Sequence, residues 1–276
     1  MVRSNLDSKK TLLTKHYDLL HLLSCDDEDL LLQNGTHPLA FSARANAEDN
    51  PTLEEALASC DREGFLSAMH LELEELKTMN AWNVVPREMA FKTGRKVLDC
   101  LWVFKRKHYP DGSVKKLKAR LVVRGDQQIE GVDYDDSFSP VVQWSTIRLL
   151  LILSVMLNLH TVQVDYTLAF VQAPAENNTF VEMPKMFEIP GMIIQLWKNL
   201  YGLCEAPRNF FTHLKKGLNE RGLRNATHDH CLFYNDQVMV ICYVDDCIFL
   251  ARDVDKIDEL IDDLRKPKMN EHSKFF

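Results

Sequence analysis

The sequence predicts an α+β fold built around an antiparallel sheet of the split βαβ type. Three observations predict it. From Val162 onward the coarse order is strand, helix, strand, strand, helix, which suits a sheet with helices on one side. Ahead of it, two strand-like arms flank Pro110-Asp111-Gly112, a strong hairpin signal. Ahead of the hairpin, Phe65, Met69, Leu73 and Leu76 recur at helical spacing.

The elements follow in order. Residues 1–50 are of mixed composition around an acidic knot, CDDED at 25–29, and read as a leader or linker of low order. Glu72, Glu74, Glu75 and Lys77 surround the apolar stripe and make 62–79 an amphipathic helix. The hairpin arms are 97–109 and 113–125. In the second arm Lys116, Lys118, Arg120 and Val122 share one face, and Leu117, Ala119, Leu121 and Val123 share the other. Such an arm can bury one side and offer cations on the other. Residues 145–158 run almost wholly apolar behind Ser145, which is placed as the N-cap of a helix buried on most sides. TVQVDYTLAF (161–170) reads as a strand leading to a turn at Asp165. Over 207–222, Pro207 suits a first helical turn, Phe210, Leu214 and Leu218 make the stripe, and Gly222 suits the stop. Short strands are expected at 231–234, 237–243 and 247–251. Asp253 then caps a last helix with Val254, Ile257, Ile261 and Leu264 on one face.

Composition narrows the function. At 276 residues, 46% hydrophobic and 26% charged, the chain reads as a soluble globular protein. No uncharged apolar run approaches the ~20 residues that span a bilayer, and MVRSNLDSKK lacks the apolar core of a signal peptide. No membrane role is expected. The seven cysteines (25, 60, 100, 204, 231, 242 and 247) include no C-x-x-C pair, so they read as reduced, buried thiols of an intracellular, cytoplasmic protein. The net charge is −7, yet residues 92–124 hold eleven Lys and Arg, among them Lys115, Lys116 and Arg124, against Asp99 and Asp111. Clustered positive charge attracts a phosphate backbone; it also describes a solvated hairpin face, and composition leaves both open.

VMVICYVDDCIFLA (238–251) sets two adjacent carboxylates, Asp245 and Asp246, inside the most apolar segment of the chain. Unpaired buried charges are costly, and neighbouring like charges more so. A hairpin turn at Asp245-Asp246 lets both leave the core. Asp165 stands at the end of another apolar strand, and if the strands are neighbours three carboxylates converge at one sheet edge. Hard divalent cations such as Mg²⁺ take carboxylate oxygens and leave room for phosphates. Two such ions, ~3.5–4 Å apart, suit phosphoryl transfer.

At these residues the chain resembles the reverse transcriptases of copia-type LTR retrotransposons. Five segments carry the resemblance in family order: TLEEAL (52–57), KARLVVRGDQQIEGVDYDDSFSPVV (118–142), VQVDYTLAFVQAP (162–174), LYGLCEAPRNFF (200–211) and YVDD (243–246). The resemblance implies the fingers and palm of a right-hand polymerase, the palm carrying a ferredoxin-like antiparallel sheet, with the thumb absent. It implies fingers with the N-terminal helix and basic hairpin over 51–161, a palm over 162–266, and a truncated tail over 267–276. Implied roles are metal binding and catalysis for Asp165, Asp245 and Asp246, with two Mg²⁺ or Mn²⁺ ions. Lys118, Arg120 and the residue at 205 are implied to meet the incoming nucleotide, and Phe170 to crowd a ribose 2′-hydroxyl. Tyr243, Lys115, Lys116 and Arg124 are implied at the primer-template. The implied partners are an RNA template, a DNA primer and deoxynucleoside triphosphates, in a virus-like particle; no oligomeric state is implied.

Two departures stand out. Leu203-Cys204-Glu205 replaces the family's Leu-Lys-Gln, so that Glu205 would set an anion beside a triphosphate. At an effective dielectric of ~20, like charges ~5 Å apart repel by about 3 kcal/mol before screening. Pro184-Lys185-Met186-Phe187 lacks the Gly of a P-x-G-F pattern. Two function classes follow: an RNA-directed DNA polymerase core, or an inactive remnant that binds nucleic acid non-specifically through its basic hairpin. A base-stacking RNA-recognition module is disfavoured, because no set of sheet aromatics lies on neighbouring strands.

Overall fold

The computed structural model describes residues 49–265. The expected leader, apart from Asp49 and Asn50, and the expected tail lie outside the described residues, as do the acidic knot and Cys25. Among the described residues the fold is mixed α+β with three sheets.

A short helix, α1 (Leu53–Ala58), opens with a capping box between Thr52 and Glu55. Helix α2 (Arg62–Thr78) buries Phe65, Met69, Leu73 and Leu76, the predicted stripe. It packs on a two-stranded hairpin, β3 (Cys100–His108) and β4 (Val114–Val123), through Ala119, Leu121 and Val123. The Phe65 and Phe104 rings meet edge to face at 5.2 Å. Burying each such ring contributes roughly 1.5–3 kcal/mol. At the hairpin tip Gly112 takes φ 85°, and Asp111 accepts from the Ser113 N–H at 2.9 Å.

The first hairpin arm starts later than predicted. Asp99 interrupts it, and β2 (Val97–Leu98) joins a different sheet. There it runs parallel to β6 (Phe180–Val181), which continues to β7 (Met192–Leu196) and β1 (Trp82–Pro86). A single turn, α3 (Glu88–Thr93), follows β1 and ends on Gly94 at φ 65°.

The largest sheet runs β5 (His160–Asp165), β11 (Asp246–Ala251), β10 (Val238–Tyr243), β9 (Leu232–Tyr234), β8 (Arg224–Asn225), antiparallel throughout. Its helices lie on both faces, not one. On one face α6 (Ala206–Asn219) and α7 (Val254–Arg265) pack against Val238, Val240, Cys242, Cys247 and Phe249. On the other, α4 (Trp144–Met156) brings Leu150 against Ile241 and Leu250. That explains the unbroken apolar run at 238–251: a strand covered on both faces has no solvent side on which to alternate.

Three local expectations need correction. Helix α4 starts behind Gln143, with Ser145 inside its first turn. Nor is α4 buried on most sides, because Leu149, Ile152 and Val155 are exposed. As expected, the strand ends at Asp165; Phe170 then lies in a short helix, α5 (Ala169–Gln172). The β10–β11 turn is Val244-Asp245, with Val244 at φ 55°, while Asp246 already opens β11 opposite Tyr243. The Asp253 cap is present: its carboxylate accepts from the Asp255 N–H at 3.1 Å. No helix among the described residues is long and apolar enough to cross a membrane.

Candidate active site

Sheet register sets two of the three carboxylates opposite each other, and the third lies in the adjoining turn. Asp165 is the last residue of β5 and Asp246 the first of β11, and the two are direct cross-strand partners. Directly opposed residues project to the same face. Asp245 sits in the adjoining turn, and its carbonyl accepts from the Tyr166 N–H at 3.3 Å. Partial burial, then the charges of Asp245 and Asp165, push the Asp246 carboxyl above its ordinary range, against the pull of Gln163. Like charges held side by side, with oxygen donors only, make a donor set that suits a hard divalent cation. Among the described residues no group of three His, Cys, Asp or Glu side chains is gathered into a ready metal shell.

A cleft of about 510 Å³ opens beside them, between the end of the sheet, α2 and β4. Asp165 and Asp245 line one wall, and Lys116, Lys118 and Arg120 line another. On the hairpin ladder Lys118 faces Lys105, and Lys116 faces Lys107. Like charges directly opposite destabilise a strand pair, so this ladder is built at a cost that an anion in the cleft would relieve. Burial, then the neighbouring Arg120, Lys107 and Lys116, lower the Lys118 ammonium; Asp165 opposes them.

Two cleft residues carried no role in the sequence reading. Glu72 of α2 is buried, accepts from the Leu121 N–H at 3.4 Å, and is pushed up chiefly by that burial. Its spacing, three after Met69 and four before Leu76, sets it on the apolar stripe, and that was its signal. Tyr201 lines the cleft with the Arg120 guanidinium 4.8 Å from its ring centroid and the Phe170 ring 4.8 Å away on an edge. It lies in the LYGL segment, and that was its only signal.

The remaining sequence-predicted residues sit elsewhere. Phe170 is half-buried behind Tyr201, packed also on Phe210 at 6.2 Å. Tyr243 is exposed at the end of β10. Lys115 is exposed on the hairpin with its ammonium 5.5 Å from the Tyr109 ring centroid. Arg124 leaves the end of β4 and pairs with Asp126 at 2.6 Å, away from the cleft lining. Glu205 is buried, 3% exposed, and accepts from the Gln128 side-chain amide at 2.9 Å. The same Gln128 accepts from the Cys204 N–H at 2.8 Å. Glu205 is therefore absent from the cleft lining, and burial raises its carboxyl above the ordinary range, Gln128 opposing.

Residues 79–275 match the family model described as reverse transcriptase (RNA-dependent DNA polymerase). The chain is 33% identical over 223 residues to the retrovirus-related Pol polyprotein from transposon TNT 1-94 of Nicotiana tabacum, covering 78% of this chain and 16% of that protein. It is 30% identical over 242 residues to the Pol polyprotein from transposon RE1 of Arabidopsis thaliana, covering 85% and 16%. It is 28% identical over 214 residues to the transposon Ty1-ER2 Gag-Pol polyprotein of Saccharomyces cerevisiae, covering 75% and 12%. The chain thus spans about a sixth or less of the length of these relatives.

Proposed function

The chain belongs to the reverse transcriptase family, as a copia-type reverse transcriptase domain of retrotransposon Pol polyproteins, and from that membership we propose that it is the fingers and palm of an RNA-directed DNA polymerase. Fingers over 51–161 carry the basic hairpin, and a palm over 162–266 carries the carboxylates. The observation that supports this most is that Asp165, the cross-strand partner of Asp246, lines together with Asp245 one cleft with Lys116, Lys118 and Arg120.

The reaction is attack of a primer 3′-hydroxyl on the α-phosphate of a deoxynucleoside triphosphate, with pyrophosphate leaving. Asp165 and Asp245, with Asp246 as third carboxylate, would hold the Mg²⁺ or Mn²⁺ ions. Bound there, a pair of such ions supplies charge neutralisation at the attacking and leaving oxygens. Lys118 and Arg120 hold the triphosphate through charge-assisted hydrogen bonds, and Lys115 and Lys116 extend that positive field toward the template strand. Tyr243, exposed beside the carboxylate turn, meets the primer end. Phe170 limits the room for a ribose 2′-hydroxyl. Orientation and preorganised charge provide the rate. RNA template and DNA primer are the partners, inside the cytoplasmic virus-like particle of the parent element.

Primer extension on an RNA template, with Mg²⁺ or Mn²⁺, tests the reading. Extension should vanish in Asp245→Asn while the unfolding midpoint holds; equal extension by that variant would overturn the assignment. A second reading, nucleic-acid binding without catalysis, is favoured by Cys204 and Glu205, which replace the family's Lys and Gln. It predicts salt-sensitive RNA binding by a folded chain that incorporates no nucleotide.

A further inference from the structure

We infer that Tyr201 is a positioning residue that couples triphosphate binding at Arg120 to sugar selection at Phe170. The inference rests on the polymerase reading above and deepens it. Three rings and one guanidinium form a continuous chain of contacts: Arg120 lies 4.8 Å from the centroid of Tyr201, Tyr201 meets Phe170 edge to face at 4.8 Å and 61°, and Phe170 meets Phe210 edge to face at 6.2 Å and 75°. Phe210 is buried in the core of the large sheet and anchors these contacts.

The backbone of Tyr201 is tied to the strand that carries Arg120. Its carbonyl accepts from the Val123 N–H at 2.8 Å. The next residue, Gly202, passes so close to β4 that an added Cβ would stand 2.0 Å from the Val123 carbonyl oxygen. Displacement of Arg120 along the cleft is therefore resisted by Tyr201, and displacement of Tyr201 is felt by Phe170. Tyr201 itself lines the cleft beside Asp165 and Asp245. Its contribution comes from its ring, held between the cation that meets phosphate and the ring that meets the sugar.

The consequence is that the two selections are not independent. Tyr201→Leu removes one cation–π and one ring–ring contact, which together correspond to about a tenfold effect. KM for a deoxynucleotide should rise about tenfold and the preference for dCTP over CTP should fall about tenfold, with kcat little changed. Tyr201→Phe, which keeps the ring, should restore both. Arg120→Lys removes the planar partner of the Tyr201 ring; it should weaken sugar preference although residue 120 is not a sugar contact. Arg120→Lys should add no further loss of preference in the Tyr201→Leu background.

The test uses the full chain on an RNA template with dCTP and CTP competing opposite template G. Affinity for each nucleotide is measured in parallel on a dideoxy-terminated primer, where no turnover is needed. A fallen dCTP-over-CTP affinity ratio in Tyr201→Leu, restored in Tyr201→Phe, supports the coupling. An unchanged ratio in Tyr201→Leu, an equal fall in Tyr201→Phe, or additive losses in the double variant would overturn it. If Tyr201→Leu does not fold, Arg120→Lys alone decides, an unchanged sugar preference being the refuting result. Loss of incorporation in Asp245→Asn is scored separately, so failure of the polymerase reading is distinguished from failure of the coupling.

Discussion

Met186→Gly should stabilise the protein. Pro184-Lys185-Met186-Phe187 forms a turn closed by the Phe187 N–H donating to the Pro184 carbonyl at 2.9 Å, with Met186 at φ 77°. A turn with positive φ at its third residue calls for Gly. An L side chain there costs about 1–2 kcal/mol. The turn cannot relax away, because the Lys185 carbonyl accepts from the Trp102 indole N–H at 3.1 Å and Phe187 packs on Trp102 at 6.0 Å and His70 at 5.1 Å. Met186 is 52% exposed, so little burial is lost on truncation. Greater freedom of Gly in the unfolded chain takes back about 0.4–1 kcal/mol, leaving a net gain of about 0.5–1 kcal/mol. In a chain of this size that corresponds to a rise of about 1–4 °C in Tm. Thermal unfolding of wild type, Met186→Gly and Met186→Ala measures it, since Ala trims the side chain but keeps the Cβ. Equal gains in the Gly and Ala variants, or no gain in the Gly variant, would refute the backbone explanation.

Three further outcomes follow from the same kind of reasoning. Gly202→Ala combines φ 94° with a Cβ 2.0 Å from the Val123 carbonyl and should lower stability by roughly 3 kcal/mol or more; a wild-type urea midpoint would count against the close approach. Glu205→Gln should be more stable than wild type at neutral pH. Burial raises the folded-state pKa of Glu205, so the native state holds that proton more tightly and stability falls as pH rises through the raised pKa; the advantage of Gln should shrink as pH drops below it, and a pH-independent gap between about pH 4 and 8 would contradict the cause. Replacing Lys115, Lys116 and Lys118 together by Gln should reduce the slope of log K against log salt for RNA binding by roughly two to three, and an unchanged slope would remove the hairpin from the interface.

Much of the fold around the candidate site was legible because its signals are local. Pro110-Asp111-Gly112 set the hairpin, and β4 buries the predicted face, with Ala119, Leu121 and Val123 in the core. The apolar stripe of α2 and the carboxylates at the strand ends behaved likewise. Long-range pairing was not legible. Val97–Leu98 and Phe180–Val181 are two-residue strands defined by their partners, the first by Phe180–Val181 and the second by both Val97–Leu98 and β7, and neither segment carries enough periodicity to predict the sheet. In α4 nearly every residue is apolar, so the pattern cannot say which side is covered; only the tertiary packing of Leu150 on Ile241 and Leu250 decides it. Glu205 was expected beside the nucleotide, yet its surroundings depend on Gln128, a residue remote in the chain whose amide holds it inward. Tyr201 had no distinguishing local chemistry, since its place is defined by what packs on it.

The pairing of Asp165 with Asp246 makes the distance between two carboxylates a matter of counting. A β ladder admits only whole-residue steps, so their separation is digital, not continuously adjustable. A slip of one residue in β5 against β11 would move Asp165 by about 3.4 Å and turn it to the opposite face. A slip of two would restore the face but carry it about 7 Å along the strand. Gradual drift of the surrounding loops therefore cannot detune this pair by small amounts. An insertion or deletion within β5 or β11 would abolish it at once, whereas substitutions that respect the ladder leave it untouched. The spacing at this end of the sheet is thus protected against small errors and exposed to single large ones.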